Sequence, residues 1–118
     1  MLSAAFIFES GDLDDEFWRL DGLIEQAAAD NAGFIGKDVW VSEDGRRRNS
    51  TYYWKDKQAL GEFARHPLHL EAKAQYERWY MGFHVVISEV TKTYGDGGIQ
   101  HVTPDARARS RARKRAKQ

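Results

Sequence analysis

Asp44-Gly45 stands between two strand-like runs, Phe34 to Glu43 and Arg47 to Lys55, and this dipeptide most favours the tight turn that matches strand twist. A hairpin here commits the chain to an antiparallel sheet. With 118 residues there is room for one domain, so the remaining segments must supply the strands that pair with the hairpin and the helices that cover it.

The segments on either side fit that demand. Ser3 to Glu9 is a short apolar run ended by Gly11, too short for a helix and suited to a central strand. Asp12 reads as an N-cap, and Phe17, Leu20, Ile24 and Ala27/Ala28 recur at helical spacing, predicting a helix of about five turns that stops near Asn31 and Gly33. A further helix begins near Asp56, turns Ala59, Leu60 and Phe63 inward, and is interrupted at His66-Pro67, because a residue before proline avoids helical geometry. Pro67 suits the first turn of the next helix, expected to reach Tyr80 before Gly82 releases the chain into a last strand, Phe83 to Tyr94. The order is βαββαβ: an α+β, ferredoxin-like fold with a four-stranded antiparallel sheet and helices on one face. The other face carries apolar residues, and a second copy of the chain is the expected cover.

Charge divides the chain. Residues 104–118 carry seven cations, Arg107 to Lys117, against Asp105, leaving 1–103 at about −6 of a formal total of zero. Without apolar periodicity, 99–118 is expected to be a disordered basic tail beside a 1–98 domain, and weak polyanion binding is the interaction it suits. The absence of cysteine removes disulfides, thiolate metal sites and cysteine nucleophiles. No apolar run approaches 18 residues and the start, Met1 to Phe8, lacks a basic n-region, which reads as cytoplasmic. Gly95 to Gly98 follows a strand without opening a helix, so a nucleotide loop is not expected.

Helical spacing aligns His69, Lys73, Tyr76 and Tyr80 beside an apolar stripe of Leu68, Ala72 and Trp79. Such a stripe suits a pocket wall in which His69 takes a phenol or quinol proton near neutral pH. It suits equally a solvated helix edge with tyrosines packed beneath it. Alternation on the third strand separates Asn49, Thr51 and Tyr53 from Ser50, Tyr52 and Trp54. Trp54 and Trp40 suit core or dimer packing as well as substrate stacking. Phe6 and Phe8 supply apolar wall, and His84 faces either the cavity or a subunit interface.

The phrases Tyr53-Trp54-Lys55-Asp56-Lys57-Gln58-Ala59-Leu60, His66-Pro67-Leu68-His69 and Trp79-Tyr80 resemble the antibiotic biosynthesis monooxygenase superfamily, over roughly residues 3–95. The resemblance implies a homodimeric α+β barrel and a cofactor-free oxygenase acting on an aromatic, phenol or quinol ligand. Its expected catalytic set is His69, Trp54 and Tyr76, with Phe6, Phe8, Tyr53, Phe63, Lys73 and His84 around the substrate. Two alternatives stand beside it. The Trp-Lys-x-Lys-Gln-Ala phrase resembles the haem-degrading branch, although Ser10 or Glu9, Phe63 and Lys73 occupy that branch's Asn, Trp and haem-ligating His positions. The other is a non-enzymatic dimeric module that binds a hydrophobic ligand.

Overall fold

The computed structural model describes residues 1–105. Along the chain run β1 (Leu2–Ser10), α1 (Asp15–Ala29), β2 (Phe34–Val41), β3 (Arg47–Trp54), α2 (Lys57–Ala64), α3 (Pro67–Ala74), a 3-10 turn (Tyr76–Arg78) and β4 (Tyr80–Glu89). The strands pair antiparallel in the order β2-β3-β1-β4, so the predicted ferredoxin-like α+β topology is the observed one. No helix among the described residues is long and apolar enough to cross a membrane.

The register sorts side chains between the faces. Phe6 lies between Ser50 and Val85, and Phe8 between Arg48 and Phe83, whereas Ile7 lies between Asn49 and His84. Side chains alternate along each strand, so Ala4, Phe6 and Phe8 share the helix-covered face with Tyr52, Trp54, Val85 and Ile87. Under the helices the core forms two clusters. Phe8, Phe17, Leu20 and Trp79 make one; Ala28, Trp54, Ala59 and Phe63 make the other, and Ile24 packs against both.

Each helix begins at a polar cap. Asp14, not the expected Asp12, accepts the Phe17 N–H at 3.0 Å, and Asp56 accepts that of Ala59 at 2.9 Å. His66 Nδ1 accepts the Leu68 N–H at 3.2 Å, which makes the residue before Pro67 a cap. Asp14 also binds the far end of the fold, since the Trp79 indole N–H donates to it at 2.9 Å and Arg78 lies 3.3 Å away. The backbone amide of Phe17 holds its carboxyl below the ordinary value of 3.8, with Trp79 and Arg78 adding to the effect against desolvation. A lowered folded pKa gives stability that is present above 3.8 and is lost as pH falls through the folded value. Asp14→Ala is therefore expected to lower the melting temperature at pH 7 and to flatten the acid limb of a pH–melting curve; an unchanged acid limb would remove Asp14 from this role.

Two expectations about element ends are corrected. The helix starting at Pro67 does not reach Tyr80; it ends at Ala74, and Gly82 lies inside β4, paired with Glu9. Tertiary ties explain this. The Gly11 N–H donates to the Trp79 carbonyl at 2.7 Å while the Trp79 ring is held by Asp14, so the chain leaves the helix to reach the sheet. The hairpin is present, but its loop, residues 42–46, is wider than a two-residue turn. Asp44 accepts from the Ser42 hydroxyl and the Arg46 N–H, and Gly45 takes the positive φ of 77°.

Gly33 marks a close approach between α1–β2 and α2: a Cβ there would stand 2.3 Å from the Ala59 Cβ. Asn31 closes the same corner through the Gly33 N–H and the Ala59 carbonyl. Gly33→Ala is expected to cost about 1–3 kcal/mol in urea unfolding, since overpacking has to be relieved by backbone movement. A variant as stable as the parent would show that the corner yields freely.

On the open face, residues 99–105 make defined contacts. His101 Nε2 lies 2.9 Å from Asp38, its ring meets Tyr53 edge-on, and Val102 fills the space a side chain at Gly36 would need. The rest of the expected tail, 106–118, lies outside the described residues. Beyond this strap Trp40 is 70% exposed and Met81 83%.

Candidate functional site

A cavity of about 410 Å³ opens where the two core clusters leave the sheet uncovered. β1 contributes Phe6 and Phe8 to its wall, β3 contributes Tyr52 and Trp54, and β4 contributes Phe83 and Val85; α2 and α3 close it with Phe63, His69 and Lys73. The aromatic rings interlock around it. Tyr52 stacks with Phe63 at 5.5 Å between centroids, Trp54 meets Phe63 at 4.9 Å, and Phe8 meets Tyr80 at 4.3 Å. A larger hollow, lined wholly by residues between Lys92 and Asp105, is walled by one stretch of chain and not by the sheet or helices.

Two buried polar atoms in this region have no hydrogen-bond partner: the indole Nε1 of Trp54, a residue with no exposed surface, and Nδ1 of His69. Buried polar groups are nearly always satisfied, so these two stand out beside the cavity; both atoms are enclosed by protein, and a ligand reaches either only after a side-chain movement. The His69 ring lies 5.0 Å from that of Phe63. Burial first, then the Lys73 charge, holds the His69 pKa below its ordinary 6.5, against a contrary pull from the Ala64 backbone. The imidazole is therefore neutral near pH 7, the form able to accept a proton. Burial pushes the Tyr80 hydroxyl up to about 12 and that of Tyr52 upward as well, so both remain donors.

The structure brings most of the predicted residues together. His69, Lys73, Tyr76 and Tyr80 all line the cavity, although they do not form one helical stripe: Tyr76 lies in the 3-10 turn and Tyr80 opens β4. Trp54, Phe6, Phe8 and Phe63 line it too. Tyr53 and His84 do not. Tyr53 is on the opposite face, against His101, and His84, paired with Ile7, is exposed on that same face. The alternation that placed Trp54 inward already excluded its neighbour Tyr53. Residues that sequence reasoning passed over are Asp21, Lys37 and Arg48; alternation along β2 and β3 was the signal for Lys37 and Arg48, and helical spacing from Phe17 to Ile24 that for Asp21.

No cluster of three or more His, Cys, Asp or Glu side chains among the described residues is disposed to hold a metal ion. The residues present do not fit the haem site that the resemblance implies: Phe63 and Lys73, which stand in place of its Trp and its ligating His, both line the cavity, and neither is an imidazole.

A four-stranded ferredoxin-like sheet with helices over one aromatic-lined face defines a class of small α+β folds. Within that class the chain belongs to the monooxygenase af470-like family, whose sequence profile matches residues 15–91. Among solved structures it is similar to Rv0793 from Mycobacterium tuberculosis, with 17% identity and a TM-score of 0.68 over 80% of this chain and 98% of that one. It is also similar to SnoaB, a cofactor-independent oxygenase from Streptomyces nogalater, with 14% identity and a TM-score of 0.65 over 78% of this chain and 94% of that one. At these identities the likeness shows the fold alone. Comparison with curated proteins returns no match. The expected kinship with antibiotic biosynthesis monooxygenases is borne out at the level of family and fold.

Proposed function

We propose that this chain is a cofactor-independent oxygenase that oxidises a phenol or quinol bound in the cavity between sheet and helices. The observation that carries the reading is the neutral, half-buried His69 on a cavity wall rich in aromatic rings. SnoaB's description as a cofactor-independent oxygenase supports it on the side of fold.

In this reading the substrate ring lies among Phe6, Tyr52 and Phe63, and His69 accepts its acidic proton. The resulting anion is electron-rich enough to pass one electron to O₂; recombination of the substrate radical with superoxide forms the C–O bond of a peroxide anion, and the proton held by His69 passes to it to give a hydroperoxide. Loss of water then leaves a carbonyl: one oxygen atom stays on the substrate and the other leaves in water. The apolar walls limit competing protonation. Trp54 Nε1–H, buried without a partner beside the cavity, meets the substrate's developing oxyanion once the ring shifts toward it.

Oxygen uptake on a panel of polycyclic phenols and quinols tests the proposal. Protein-dependent uptake on at least one is expected; none on any member, with ligand still bound, would favour a binding module. A Soret band on adding haem, lost in His69→Ala, would instead favour haem chemistry.

The open sheet face suits a second copy, because Trp40 on one edge strand is largely exposed and Val86 on the opposite edge strand is 42% exposed. Light scattering is expected to give a dimer mass, and Trp40→Glu with Val86→Glu to give a monomer. A monomeric parent chain at micromolar concentration would overturn this.

A further inference from the structure

The described residues hold eleven Lys and Arg against eighteen Asp and Glu, so an unselected cavity in this fold would be lined by more carboxylates than cations. The observed lining is the reverse: Lys37, Arg48 and Lys73 face one carboxylate, Asp21. With His69 neutral, the wall of an otherwise acidic domain is electropositive.

The cations differ in how they are engaged. Lys37 is bound to Glu25 of α1, and its Nζ lies 5.7 Å from the centre of the Tyr52 ring. Lys73 is exposed. Arg48, half-buried on β3, packs its guanidinium 5.5 Å from the Trp18 ring, and no carboxylate among the described residues lies within 4 Å of it. Its charge reaches the cavity, where it acts on both Lys37 and Tyr80 toward their deprotonated forms. Ser50 and Tyr52 follow it on the same face of β3 and line the same cavity. A planar fork of donors without an anion, flanked by hydroxyls, matches a carboxylate.

We infer that the cavity takes an aromatic acid, its carboxylate seated on Arg48 at the α1 side and its reacting ring turned toward His69 at the α2–α3 side. This rests on the reading of the cavity as the substrate site and adds the class of substrate. Asp21, the one acidic lining residue, disfavours a second negative group and so selects for a single carboxylate.

The test is calorimetric titration of the full chain with 2-naphthoate and its neutral isostere 2-naphthamide, on the parent, Arg48→Gln and Arg48→Lys. The parent is expected to bind naphthoate at least about tenfold more tightly, in keeping with hydrogen bonds to a charged group. Arg48→Gln removes the preference and keeps naphthamide binding; Arg48→Lys, which retains the charge without the fork, keeps part of it. Equal affinity of the parent for the two probes, or an undiminished preference in Arg48→Gln, would overturn the inference. If neither probe binds, the acid site and the cavity reading fall together. If naphthoate is preferred but no hydroxylated aromatic acid supports oxygen uptake, the oxygenase reading fails and the acid site stands.

Discussion

Replacing His69 with Ala is expected to lower kcat/KM for oxygen uptake by about 10²–10⁴-fold, the range lost when a positioned base is removed. The fold should survive the change, because His69 is half-buried and belongs to neither of the two core clusters. The pH dependence gives the sharper signature. Burial and Lys73 place the His69 pKa below 6.5, so the parent's rate should rise through a midpoint below that value and stay level through pH 8. His69→Ala should lose this limb. The same sign governs stability: a histidine whose folded pKa is lowered contributes stability that is present above 6.5 and is lost as pH falls through the folded value. A parent profile whose midpoint lies above 7, or a variant that keeps the acid limb, would transfer the base role elsewhere.

Trp54→Ala carries the largest expected loss of stability, about 3–5 kcal/mol. The ring has no exposed surface and packs on Phe34, Tyr52 and Phe63 at the end of β3 where α2 begins. Against the 5–15 kcal/mol typical of domains this size, such a loss leaves a marginal protein. Trp54→Phe separates packing from polarity: it should cost less than Trp54→Ala because most ring contacts persist, and it removes an N–H that has no partner in the protein. If that N–H serves the ligand, Trp54→Phe will be folded and will bind substrate more weakly. Urea unfolding alongside ligand titration distinguishes the two; equal stability of all three proteins would contradict the packing assigned to Trp54.

The fold was legible because its signals are local and agree with one another. The apolar run of β1, the helical spacing from Phe17 to Ala28, the two strands around Asp44-Gly45 and the break at His66-Pro67 each correspond to an observed element. What was not legible depends on tertiary ties. The α3 helix stops early because Trp79 is committed to Asp14 and Gly11, residues more than sixty positions away that helical periodicity does not sense. The candidate site shows the same division. His69, Lys73, Tyr76 and Tyr80 were grouped by a helix that does not extend that far, and they meet because the 3-10 turn and β4 return the chain to the cavity. Tyr53 was misplaced against the alternation that turns its neighbour Trp54 inward, and His84, whose face was left open, is decided by its pairing with Ile7. Arg48 was legible from the alternation that groups it with Ser50, Tyr52 and Trp54; it is the third of three consecutive arginines, and of these the register turns Arg48 inward.

The cavity as ligand site is the central claim, and a crystal structure with a bound, unreactive hydroxyanthraquinone carboxylic acid tests it most directly. The predicted result is a ring system lying between the sheet and α2–α3, an oxygen within hydrogen-bond distance of His69, and the carboxylate on Arg48. Occupation of the open sheet face or of the 92–105 loop instead, with this cavity unchanged, would contradict the account.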